Sequence, residues 1–231
     1  MNPSTLFVIG VPLDDTGHID ASSRSAVASA DLIIGESAKA TLRLLKQVPE
    51  SLTKPRFFLD QLKPHDDQAL EETLGHLSRS GGGVALFSDT GMPILFDPGK
   101  TVLERCLKLG FHIQCRPGPT SWGTAMALCG FVPPFLLLGF PPRKTDERAQ
   151  LMKGLARHRA HMVLMDTPYR FHLLLKDALE AFGKNRNAFV AWEISKPNEA
   201  YLWGTLKHLQ EETGRRGFNK GEFILIVESQ S

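Results

Sequence analysis

GVALFSDTGMPILFDPGKTVLERCLKLGFHIQCRPGPTS, from Gly83 to Ser121, is the stretch whose reading decides the fold. Val84-Ala85-Leu86-Phe87 is an apolar run of the length of a buried strand. A polar loop rich in glycine and proline follows, Ser88 to Pro93 and then Asp97-Pro98-Gly99. Val102, Leu103, Cys106, Leu107 and Leu109 recur at helical spacing. His112 to Cys115 is a second strand, and it runs into Arg116-Pro117-Gly118-Pro119-Thr120-Ser121. The order strand, loop, helix, strand, loop predicts an α/β unit, in which ligands bind outside the carboxyl ends of the strands. Both Gly/Pro loops fall there.

The residue types in those loops admit two readings. Gly91, Gly99 and Gly118 can take backbone angles closed to other residues and let a ligand approach the main chain. Pro93, Pro98, Pro117 and Pro119 stiffen the loops and remove N–H donors. Asp89 and Asp97 either close turns and cap helices or accept hydrogen bonds from a ligand. Tight turns alone explain one such loop; two at the same sheet edge favour a site.

The 231-residue chain can bury a sizeable core, as one large domain or two small ones. Its hydrophobic share of 42% and charged share of 23% are those of an ordinary globular protein. A net charge of +2 is only mildly basic, which argues against avid electrostatic capture of nucleic acid. Cys106, Cys115 and Cys129 lack CxxC spacing, sit in apolar contexts and read as reduced core residues. Leu6 to Val11 is too short for a signal-peptide core or a membrane span and has no basic flank, so a cytoplasmic protein with no membrane partner is expected.

Leu6 to Gly10 reads as a first strand, ended by a turn at Gly10-Val11-Pro12. Ser22 to Ala30 reads as a helix, Leu32 to Ile34 as a strand, and Ala38 to Lys46 as a helix. Phe57 to Leu59 is a short strand, and Asp66 to Ser80 a helix stopped by glycines. Thr120 to Leu128 is a helix whose first residues either cap it or present hydroxyls to a ligand. The second half alternates a strand at Phe135–Leu138, a helix at Asp146–Arg157, a strand at Met162–Met165 and a helix ending at Phe182. Strands at Phe189–Trp192, Tyr201–Thr205 and Gly221–Val227, with a helix from Leu206 to Gly214, complete a sheet expected to be mixed. Pro141-Pro142-Arg143-Lys144 is a stiff basic loop, either solvated or in contact with phosphate. The cluster Arg157 to His161 reads as a helix-end cap, and His158 with His161 as an exposed pair rather than a metal site. No metal site is expected. There is no G-x-S-x-G elbow, P-loop or G-x-G-x-x-G fingerprint.

SDTGMPILFDPG followed by RPGPTS resembles the paired SDAGTP…DPG and PGPS motifs of the tetrapyrrole methylase superfamily. LFVIGVPLDD, ADLIIGES, LLLGFPP, MDTPYRF, AWEISKPNEAYLWGT and KGEFILIVES fit in the same order, over nearly the whole chain. Within the superfamily the chain most resembles the branch containing the ribose 2′-O-methyltransferase of small-subunit ribosomal RNA. That branch has EDTR where this chain has Glu36-Ser37-Ala38-Lys39, and IGNL where this chain has Leu13-Asp14-Asp15 near the first turn. The related E-S-P-x-R and R-E-x-T-K motifs stand here as Asp166-Thr167-Pro168-Tyr169-Arg170 and Trp192-Glu193-Ile194-Ser195-Lys196.

The resemblance implies a two-domain α/β fold, with a mostly parallel N-terminal sheet in residues 1–117 and a mixed sheet in residues 118–231. It implies S-adenosylmethionine in the cleft between, S-adenosylhomocysteine as product, and a homodimer. Cofactor contacts are then expected from Gly10, Val11 and Pro12, from Asp89, Gly91, Met92 and Leu95, from Thr120 and Ser121, and from Met165 and Asp166. The acceptor side would draw on Glu36, Arg170, Glu193 and Lys196. Glu36 is a helix cap, or else a general base or a substrate hydrogen-bond acceptor, and Arg170 a structural or substrate ion pair. The implied acceptor is an RNA ribose, on a ribosomal particle; the alternatives are a small molecule such as a tetrapyrrole, or a relative that binds cofactor without turnover. Met92 bears on the last, because a thioether cannot make the hydrogen bonds of the Asp or Thr found in relatives.

Overall fold

The computed structural model describes residues 3–230, and the chain divides between Thr120 and Ser121 into two compact units. The first unit runs β1 (Thr5–Ile9), α1 (Ala21–Ser29), β2 (Leu32–Gly35), α2 (Ala38–Leu45), β3 (Arg56–Phe58), α3 (Pro64–Ser80), β4 (Gly83–Phe87), α4 (Lys100–Lys108) and β5 (His112–Arg116). Its sheet has the order β3-β2-β4-β1-β5, and every pairing is parallel.

The apolar run at Val84–Phe87 explains this architecture. A strand with helices on both faces must be apolar on both faces. Val84 and Leu86 pack with Leu6, Leu32 and Ile34 beneath Leu70 and Leu74 of α3 and Val102 and Cys106 of α4. Ala85 and Phe87 point the other way, to Ile9, Ile33, Val27 of α1 and Leu44 of α2. All four residues of the run are at most 1% exposed. The chain leaves β1 towards β2 on one side and leaves β4 towards β5 on the other. The helix after β1 lies on one face of the sheet and the helix after β4 on the other, so these neighbouring strands send their loops to opposite faces and the switch point lies at their carboxyl ends.

The second unit contains α5 (Ser121–Leu128), β6 (Phe135–Gly139), α6 (Thr145–Leu155), β7 (His161–Met165), α7 (Phe171–Phe182), β8 (Asn187–Trp192), β9 (Ala200–Thr205), α8 (Leu206–Arg216) and β10 (Phe223–Val227). The sheet order is β6-β7-β10-β8-β9; β6 and β7 are parallel, and the pairings of β10 and β9 are antiparallel. It is mixed, as expected. Met162 and Leu164, Val190 and Trp192, and Phe223 and Leu225 form one face of this core with Phe171, Leu174 and Leu175 of α7 and Leu209 of α8. Trp192 stacks on Phe218 with ring centroids 4.5 Å apart.

Two expectations need correction. Cys115 is exposed on the edge strand β5; only Cys106 and Cys129 are buried. Burial pushes the Cys106 thiol up to about 12, so it is inert as a nucleophile. His161 is not half of an exposed pair. It is 8% exposed, with Nε2 2.9 Å from the Val132 carbonyl and Nδ1 accepting from the Ser229 N–H at 2.9 Å. That pattern needs the neutral tautomer protonated on Nε2. Among the described residues no group of His, Cys, Asp and Glu could hold a metal, and no helix is long and apolar enough to cross a membrane.

Candidate active site

In the first unit three loops meet at the switch point. The Gly10 N–H donates to the Arg116 carbonyl at 2.8 Å, which sets the turn after β1 against the end of β5. Val11 and Gly91 form an isolated antiparallel bridge, with N–H···O distances of 2.8 and 3.1 Å, which sets the same turn against the loop after β4. Gly10 and Gly118 face each other backbone to backbone. A Cβ on Gly118 would stand 2.7 Å from Gly10 Cα and 2.8 Å from its carbonyl carbon. A Cβ on Gly10 would collide with Gly118 and stand 2.7 Å from Met92 Sδ. These glycines are required by each other, because the turns after β1 and β5 pack main chain against main chain.

Met92 is partly buried against the α3/α4 core, and its sulfur accepts the Gly118 N–H at 3.2 Å. It therefore joins two of the three loops. The loop after β4 is also strained. Gly91 has φ 70°, but so do two residues that are not glycine, Ile94 (φ 82°) and Phe96 (φ 68°). A β-branched residue in that region is a true outlier and costs about 1–3 kcal/mol, and such strain gathers at functional sites. Leu95 between them is 51% exposed. Nothing in the sequence marks Ile94 for a left-handed conformation.

Glu36 and Asp89 link the ends of adjacent strands β2 and β4. The Asp89 N–H donates to Glu36 Oε2 at 3.0 Å. The Ser37 N–H and hydroxyl donate back to the Asp89 carboxylate at 2.7–3.0 Å. Ser37, not Glu36, caps α2, accepting the Ala40 N–H at 3.3 Å. Glu36 is thus a half-buried carboxylate held on a loop. Its pKa is raised, chiefly by burial and also by the charges of Asp89 and Asp60, against the opposing hydrogen bond from Asp89.

In the second unit β6, β7 and β8 all end at one sheet edge. Met165 ends β7, and Asp166 follows it, 6% exposed. Its Oδ1 accepts from the Thr167 N–H at 2.7 Å and from Arg170 at 3.1 Å, while Oδ2 is buried without a partner. Arg170 also donates to the Pro142 carbonyl at 3.4 Å, so it fastens the loop after β6 to Asp166. Glu193 (φ 50°) and Ser195 (φ 64°) lie in a tight loop. Glu193 carboxylate accepts the Glu222 N–H, and Lys196 pairs with Glu222 at 2.8 Å and with Glu193 at 3.6 Å. Arg170, Glu193 and Lys196 share this edge, and each has a structural partner there. Thr120 ends the first unit, and Ser121 opens α5, whose first N–H groups have no intrahelical acceptor.

The architecture, a parallel five-stranded α/β unit followed by a mixed five-stranded one, is that of tetrapyrrole methyltransferase structures. The methyltransferase CobJ superposes with a TM-score of 0.66 over 99% of this chain and 95% of that one, at 17% identity. A cobalt precorrin-4 methyltransferase of cobalamin biosynthesis gives 0.59 over 96% and 94%, at 19% identity. The family model for tetrapyrrole (corrin/porphyrin) methylases matches residues 5–210, so the chain belongs to that family and is a methyltransferase. Among curated relatives, the ribosomal RNA small subunit methyltransferase I of Thermotoga maritima is 30% identical over 200 residues, covering 86% of this chain and 87% of that protein. Its namesake in Xylella fastidiosa is 28% identical over 98% of this chain and 82% of its own length.

Proposed function

We propose that this methyltransferase takes its methyl group from S-adenosylmethionine and delivers it to a ribose 2′-hydroxyl of RNA, releasing S-adenosylhomocysteine. The observation that carries the RNA reading is the span of the similarity: proteins named for ribosomal RNA methylation match through both units at 28–30% identity. The structures that resemble it in fold alone are at 17–19%. The same reading makes the protein cytoplasmic, acting on ribosomal particles, and a homodimer by resemblance.

The residues present fit the donor. In the second unit the Asp166 Oδ2 is buried without a partner, and the helix N-terminus at Ser121 suits a carboxylate. Bound S-adenosylmethionine supplies a methyl on a sulfonium, already a good leaving group. The chain's own task is to hold the acceptor oxygen in line, which is a matter of positioning. A ribose hydroxyl is not acidic near neutrality, so its proton needs an acceptor. Glu36 is the carboxylate we assign to that role, because burial keeps its basicity above that of a solvated glutamate.

Glu36→Gln is therefore expected to lower kcat by roughly 10²-fold or more while KM changes little. It should not unfold the protein, since the amide oxygen still accepts the Asp89 N–H. A folded-state pKa above the unfolded one means stability falls as pH rises through that window and stays lower above it. The Gln variant should therefore melt at or above wild type at pH 7.5, and the difference should vanish below pH 4.5, the ordinary value. An unchanged kcat would remove Glu36 from the mechanism.

Calorimetric titration with S-adenosylhomocysteine tests the cofactor. A Kd at or below ~100 μM, near -5.5 kcal/mol, abolished by Ser121→Trp, is the expected result. Methyl transfer from labelled donor to small ribosomal particles tests the acceptor. A 2′-O-methyl group blocks alkaline cleavage at its own nucleotide, so one missing rung in a hydrolysis ladder reads it directly. Label on a base, or no label with a bound cofactor, would refute the ribose assignment.

A further inference from the structure

We infer that the β6/β7/β8 edge of the second unit is an RNA-docking surface, built on the Tyr169 ring with Lys220 and on the loop that carries Arg143. This rests on the reading that the acceptor is RNA. Tyr169 is 71% exposed and Phe140 50% exposed, high values for aromatic side chains, and both lie in loops leaving this edge. Lys220 Nζ stands 4.7 Å from the centroid of the Tyr169 ring. The two loops are tied together, because the Gly221 N–H donates to the Pro168 carbonyl at 3.2 Å. The loop carrying Phe140 and Arg143 is tied as well: Arg148 and Arg170 both donate to the Pro142 carbonyl, at 3.2 and 3.4 Å. Tyr169 is therefore held out on fastened backbone.

The cations of this edge sort into two groups. Lys144 pairs with Glu147, Arg170 with Asp166, Lys196 with Glu222, and Arg215 and Arg216 with Glu212. Among the described residues Arg143 and Lys220 have no carboxylate partner, and both are exposed. Lys220 flanks the Tyr169 ring, and Arg143 shares its loop with Phe140. The exposed Tyr169 ring beside the unneutralised Lys220 suits an unpaired base stacked on the ring with its phosphate on the cation. A net charge of only +2 agrees with a surface set for a few local contacts, not for capture of any polyanion.

The test is fluorescence anisotropy with a labelled, unstructured 12-nucleotide RNA on full-length protein saturated with S-adenosylhomocysteine. Tyr169→Ala should raise Kd roughly tenfold, and Tyr169→Phe should restore most of it. Lys220→Ala should also weaken binding and reduce the slope of log K against log salt by about 0.7, the loss of one single-strand phosphate contact; Tyr169→Ala should leave that slope unchanged. Thermal melts confirm that these surface variants fold. Variants that keep wild-type affinity and slope, in an enzyme that still methylates ribosomal particles, would overturn this surface and leave the proposed function standing. Variants that keep RNA affinity but lose association with the particle would also overturn it, in favour of a protein contact. Wild type that binds S-adenosylhomocysteine but neither binds nor methylates RNA would overturn both readings.

Discussion

Gly118→Ala is expected to cost roughly 3 kcal/mol of stability and to remove cofactor binding. The reason is that the added methyl has nowhere to go. Its nearest neighbours are the Cα and carbonyl carbon of Gly10, at 2.7 and 2.8 Å, and the Val11 nitrogen at 3.2 Å. All three are main-chain atoms, so no side-chain rotation relieves the clash. Separating the two turns would pull on the Gly10 N–H bond to Arg116 and on the Val11–Gly91 bridge. The whole switch point moves together. For a chain of this size such a loss lowers Tm by roughly 6–12 °C. Gly154→Ala is the control. Gly154 lies within α6 with nothing within 4 Å of a Cβ, and the change should be neutral or stabilise by up to about 1 kcal/mol. If Gly118→Ala melts like Gly154→Ala and binds S-adenosylhomocysteine normally, the close approach of the turns has no functional weight.

The parts of this site that could be read from the chain are those set by local chemistry. Val84–Phe87 had to be a doubly covered strand because four apolar residues in a row leave no polar face. The Gly/Pro loops had to follow the strand ends because no regular element accommodates them. Interactions across the sheet were not legible. Glu36 and Asp89 are 53 residues apart, and only the adjacency of β2 and β4 brings them together. Met92 looked like a loss of hydrogen bonding beside its relatives, yet its sulfur takes a backbone N–H at Gly118. His161 sat at the end of a charged run and so read as surface, whereas pairing with β6 and β10 draws β7 inward. Arg148 is the case where a signal existed: Arg148, Met152 and Leu155 are the buried stripe of α6, so an arginine occupies a core position of the helical repeat.

That arginine carries the second large effect. Arg148→Met is expected to cost about 3–5 kcal/mol. Arg148 is 1% exposed and Asp177 of α7 only 11% exposed, and its Nε donates to that carboxylate. Its Nη1 donates to the carbonyls of Pro142 and Arg143 at 3.2 and 2.9 Å. Removing the guanidinium leaves a buried charge without its partner and takes a donor from the loop that carries Phe140 and Arg143. These two consequences separate in a double variant. Arg148→Met with Asp177→Leu removes the stranded charge, and such replacements of buried pairs are often neutral or better. The double variant should therefore recover most of the lost Tm. It should not recover the loop, because the carbonyls of Pro142 and Arg143 still lack that donor. RNA affinity should stay low in both variants, while S-adenosylhomocysteine affinity follows stability. A double variant no more stable than the single one would mean that Asp177 is solvated in the folded protein and that α6 and α7 are joined by apolar packing alone.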